Sequence, residues 1–93
     1  MDLHRVFSLN AGVQVRREKF GLLFYDYRGP RLYFVPSQSL VADTVFDGRT
    51  SLAELVDGVC ARHPWPKAWV ENQLTNLFGK LEAKGLINGQ SIC

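Results

Sequence analysis

Residues 20–37, FGLLFYDYRGPRLYFVPS, place bulky apolar side chains on both faces of a short hairpin. In a run from Phe20 to Tyr27, Phe20, Leu22 and Phe24 point one way, and Leu23, Tyr25 and Tyr27 the other. After the turn Arg28-Gly29-Pro30, Leu32 and Phe34 oppose Tyr33 and Val35. One set must face the core. A chain of 93 residues has little material to cover the second. Either the N-terminal segment with Val6, Phe7 and Leu9 folds back over it, or it is an exposed interaction surface. Leu23, Tyr25 and Tyr27 are the candidates for a surface that meets a partner or a second copy of the chain.

Around this hairpin the rest of the pattern falls into order. Val13 and Val15 alternate with Gln14 and Arg16, the period of a strand over 13–18. Strands follow at about 20–27 and 31–36, and the short loops imply an antiparallel meander. Pro36 stops the third strand, and Ser37 or Ser39 can cap a helix over about 38–46 with Leu40, Val41 and Val45 inward. Asp47-Gly48-Arg49-Thr50 reads as a turn, and Ser51 with Glu54 forms a capping box. Leu52, Leu55, Val56, Val59 and Cys60 share one face of a helix over 51–62. A third helix spans 66–84, with Val70, Leu74, Leu77 and Leu81 at its buried centre, Phe78 widening the stripe and Gly85 as its C-terminal stop. Leu86-Ile87 suits a short return strand. These expectations give one α+β domain over 1–93, a three-stranded antiparallel sheet followed by three helices, resembling a winged helix-turn-helix.

Composition excludes several function classes. Net charge is +2, too balanced to announce nucleic acid or a membrane surface. No run approaches the roughly 18–20 apolar residues of a membrane span, and the N-terminus has no signal-peptide core, so a cytoplasmic protein is expected. Two cysteines, Cys60 and Cys93, are too few for a disulfide framework. His4 and His63 have no partner at metal-ligand spacing, no phosphate-binding glycine loop occurs, and no nucleophile–base motif stands out. The expectation is a binding module with no cofactor and no metal, not an enzyme. The third strand would be a sheet edge without the lysine that often guards one, and such an edge can accept an extended peptide.

Two stretches carry a family resemblance. DGRTSLAELVDGVCARHP with VENQLTNLFGKLEAKGLI resembles the second half of PqqD-like domains. VRREKFGLLFYDYRGPRLYFVPSQSL is similar to the first half of the mycofactocin-system member of that group. The resemblance implies a RiPP recognition element, which binds the leader of a ribosomally made precursor peptide and presents it to a radical SAM enzyme. It also implies that the leader adds as a strand to the third strand, above the third helix. On a helical wheel the buried stripe leaves two flanks, one with Gln73, Asn76 and Lys80 and the other with Glu71, Phe78 and Glu82; with the first beside the strand, the peptide-binding residues would be Arg31, Leu32, Tyr33, Phe34 and Val35 with Gln73, Asn76, Leu77 and Lys80. Two rival readings remain open from the residues. One is a DNA-binding winged helix, for which the third helix offers lysines but no arginine. The other is a structural homodimer.

Overall fold

The computed structural model describes residues 3–36 and 41–91. The meander is present with nearly the expected bounds. Val13–Glu18 (β2), Gly21–Asp26 (β3) and Arg31–Val35 (β4) form one antiparallel sheet in the order β2-β3-β4. Leu22 pairs with Val35, Phe24 with Tyr33 and Asp26 with Arg31, which leaves β4 at the edge. The expected single sheet is wrong, because it is the second of two in chain order: another three-stranded sheet, the first, lies beside it. Arg5–Leu9 (β1) sits between Asp47–Ser51 (β5) and Ile87–Ser91 (β6). The N-terminal segment therefore does not cover the outer face of β2-β3-β4; it builds its own sheet with strands some 40 and 80 residues away in sequence. The suggested two-residue return strand is the start of β6, displaced by one residue.

Two helices, not three, complete the described fold: Leu52–Arg62 (α1) and Lys67–Ala83 (α2). Of the helix expected at 38–46, residues 37–40 lie outside the described residues, and the remainder holds a single 3₁₀ turn, Asp43–Val45. That turn has no side-chain cap. Asp43, Thr44 and Val45 also favour helix weakly, the last two because branching at Cβ restricts χ1. Its neighbour Phe46 is drawn into the core instead, 7% exposed. Without the third helix the winged helix-turn-helix likeness does not hold.

Local signals elsewhere act as expected. The Ser51 side chain accepts from the Glu54 N–H, and the Glu54 carboxylate from the Ser51 N–H, a complete capping box. Gly85, at φ +73°, ends α2 in a Schellman motif: its N–H donates to Glu82 and the Leu86 N–H to Leu81. Asp-Gly-Arg-Thr keeps its turn, with the Asp47 carboxylate accepting from the Arg49 and Thr50 N–H groups, but the turn forms a bulge within β5.

The core joins the two sheets through α2. Phe7 of β1 meets Phe78 of α2 edge-on at 4.9 Å; Phe78 stacks on Phe46 at 5.4 Å; Phe46 meets Phe24 of β3 edge-on at 5.5 Å. Leu52, Val56, Val59, Val70, Leu74 and Leu81 surround this row, as the helical periodicity requires. Four expected core residues, Val15, Val45, Leu55 and Leu77, only pack partly buried against it, and Leu40 lies outside the described residues. Phe78, expected at the rim of the stripe, is at its centre and fully buried.

Candidate peptide-binding groove

The open edge of β4 faces α2, and the space between them is a trough in two parts. The strand turns Tyr33 and Val35 inward and leaves Leu32 and Phe34 outward, 62% and 46% exposed. Tyr33, Val35 and Pro36 line one wall of a groove of about 290 Å³, and Gln73, Asn76, Leu77 and Lys80 line the other. These four helical positions fall on one flank because they recur at three- and four-residue intervals. Toward the start of β4, a smaller hollow of about 220 Å³ is bounded by Asp26, Arg31, Leu32, Tyr33, Lys84 and Leu86. Tyr33 belongs to both, and the Lys84 ammonium sits 4.5 Å from its ring centroid, where the two parts meet.

One end of this trough is fastened by a buried carboxylate. Asp26, 2% exposed, accepts from the Arg28 guanidinium at 3.0 and 3.1 Å, from the Arg28 N–H at 3.0 Å and from Arg31 at 2.8 Å. Arg28 also donates to the Gly85 carbonyl at 2.7 Å, and Asn10 donates to the same oxygen at 2.6 Å. Hairpin, first sheet and the end of α2 thus meet at one peptide group. The Arg28 and then the Arg31 guanidinium hold Asp26 well below the usual carboxylate range. Asp47 and Glu82 are lowered too, the first by the Arg49 and Thr50 N–H groups, the second by Arg5. A depressed folded-state value stabilises the fold in full above the ordinary 3.8 of an aspartate and loses that stability as pH falls below it. Urea midpoints should therefore drop between pH 5 and pH 2, both figures being about one to two units around that value. The drop should be shallower in an Arg28→Ala/Arg31→Ala variant; equal slopes would dissociate Asp26 from acid stability.

The structure thus brings Tyr33, Val35, Gln73, Asn76, Leu77 and Lys80 together, and sets Arg31 and Leu32 around the adjoining hollow. Phe34 stands apart, on the outer face with Leu23, Tyr25 and Tyr27. Sequence reasoning missed Asp26, Pro36 and Leu86 and left Lys84 at the margin. For Asp26 the signal was present: an acid two residues before Arg28 and five before Arg31 brackets the turn with opposite charge. Leu86 is placed by the Schellman turn and carried no signal of its own.

Residues 6–88 match the sequence model of the peptide chaperone MftB family. The chain belongs to the peptide chaperone MftB family. No curated protein and no solved structure matches it significantly. Membership assigns a peptide-binding chaperone role, in keeping with the RiPP recognition element that the sequence resembles. Among the described residues no three His, Cys, Asp or Glu side chains gather as a metal site requires, and no helix is long and apolar enough to cross a membrane.

Proposed function

We propose that this chain captures the leader of a ribosomally made precursor peptide as an added strand on β4 and presents it to a radical SAM enzyme, in the cytoplasmic assembly of a mycofactocin-type redox cofactor. The observation that carries this reading is the pairing of an open strand edge with a ready-made second wall: among the described residues β4 pairs only with β3, and Gln73, Asn76, Leu77 and Lys80 face Tyr33 and Val35 across the gap. The strand backbone supplies affinity with little sequence choice, and alternate side chains of the peptide drop into the groove for selectivity. Amide donors and acceptors on Gln73 and Asn76 can satisfy polar groups at the rim.

The test is a titration with a synthetic leader peptide of a candidate precursor, prepared as a series in which each member is methylated at one backbone nitrogen. Every second N–H of an added strand points at β4, so methylation should weaken binding about tenfold or more at alternate positions and little between them, as the loss of about 1–3 kcal/mol per hydrogen bond requires. Uniform tolerance of methylation would rule out strand addition.

The outer face of the second sheet supports contact with the modifying enzyme. Tyr27, Leu32 and Phe34 are 55%, 62% and 46% exposed there, beside the partly buried Leu23 and Tyr25. Leu32 and Phe34 belong to the same strand whose edge would hold the peptide, so an enzyme seated on this face lies next to its substrate. Leu23→Glu/Phe34→Glu should abolish co-elution with the enzyme and leave peptide affinity intact. Self-association of the free chain, lost in the same variant, would instead make the face a homodimer contact.

A further inference from the structure

We propose that the hollow between Arg31 and Lys84 is a recognition pocket for a carboxylate side chain of the bound peptide. This rests on the strand-addition reading above and adds a requirement to it: the ligand carries an Asp or Glu at a fixed place.

Charge is the first argument. The hollow is bordered by one carboxylate, Asp26, and that group is buried and already accepts from both Arg28 and Arg31. Two cations, Arg31 and Lys84, line the hollow beside it, while Arg28 neutralises Asp26 from outside the lining. Arg31 donates to Asp26 through Nη2, and a guanidinium has five N–H donors in its fork, so most of that fork remains to reach a second anion. Lys84 rests on the Tyr33 ring, and among the described residues it has no carboxylate partner. Lys80, one turn earlier on α2, is in the same condition. The acids of α2 do not compensate. Glu82 is taken by Arg5 and the Gly89 N–H, and Glu71 lies outside both linings.

Shape is the second argument. Leu32, Tyr33 and Leu86 wall the hollow, which lowers the local dielectric and strengthens an ion pair relative to one in open water. About 220 Å³ holds one carboxylate side chain. A cation on an aromatic face at an exposed site is held only weakly, so moving the Lys84 ammonium from Tyr33 to a carboxylate costs little. Because the hollow and the main groove lie side by side along β4, their occupants project from the same side of one added strand. They are therefore an even number of residues apart. The ligand signature is an apolar residue for the Tyr33–Leu77 groove and an acid two or four positions away.

The test selects a displayed library of random twelve-residue peptides against the whole chain. Enriched sequences should show Asp or Glu at one position, an even number of residues from a common apolar one. The best peptide, made synthetically, should lose about tenfold or more in affinity when its acid becomes the amide, or when Lys84 becomes Gln (K84Q) with an unchanged melting temperature. With Lys84→Glu the preference should turn toward a Lys at that position. Enriched peptides without a fixed acid, or a preference untouched by Lys84→Glu, would overturn the carboxylate pocket while peptide capture stands. No enriched peptide that competes for the groove, judged by Leu77→Glu, would overturn strand addition itself and the pocket with it.

Discussion

Phe78→Ala should lower the unfolding free energy by about 3–5 kcal/mol. The ring is fully buried and touches two others, Phe7 at 4.9 Å and Phe46 at 5.4 Å, so its removal opens a void between the two sheets. Edge-on and stacked ring pairs add about 0.5–1.5 kcal/mol each beyond area burial, and both pairs vanish together. A domain of this size is stabilised by only about 5–15 kcal/mol, so the loss takes a large share. Urea unfolding followed by circular dichroism should show a lower midpoint at unchanged slope. Phe78→Leu refills most of the volume and should recover about half of the loss, which keeps the test readable if the alanine variant does not fold. A cost under about 1 kcal/mol would mean that the row of rings is not what joins the sheets.

Gly21→Ala should cost about 1–3 kcal/mol, toward the upper end, and should also weaken peptide binding. A Cβ at Gly21 would land on the Val35 carbonyl and approach Val35 C and Pro36 Cα at 2.8 and 2.9 Å. These are backbone atoms, so no side chain can swing aside; β4 must move away from β3. Val35 and Pro36 are also a wall of the groove, so the same displacement shifts the peptide's docking edge. Binding and thermal stability measured on one preparation should fall together. A variant that is destabilised and binds as well as the parent would separate the end of β4 from the site.

The parts of the fold legible in the sequence are those whose cause is local. The meander follows from the alternation at Val13 and Val15 and from a four-residue turn around Gly29 and Pro30. Both helices follow from an apolar stripe with a cap or stop at its end, Ser51 with Glu54 for α1 and Gly85 for α2. The first sheet was hidden because its pairings are remote: Val6 lies opposite Ser51 on one side and Gln90 on the other. Its strands are also short, and Val6 and Phe7 are both buried, so β1 shows no alternation. The groove was legible in outline, since Gln73, Asn76, Leu77 and Lys80 share a flank at helical spacing; that this flank faces β4 depends on how α2 packs, which no local signal encodes. Phe34 turns its side chain to the outer face with Leu23, which alternation alone does not fix, because it cannot say which of two apolar faces a sheet buries.

The pairing of β1 with β6 also sets an order of events in folding. The β2-β3-β4 meander closes through short loops and can form while the rest of the chain is still unstructured. The first sheet cannot: Arg5 must find Ser91, and Asn10 must find Asn88, across nearly the whole chain. Closing so long a loop is slow, and it completes the fastening of α2, since Glu82 is held by Arg5 from β1 and by the Gly89 N–H from β6. During synthesis the unpaired edge of β4 is therefore made well before the helix wall that turns it into a groove. A nascent chain carries a bare, aromatic-flanked strand edge, the kind of surface on which chains pair with one another, until β6 is in place.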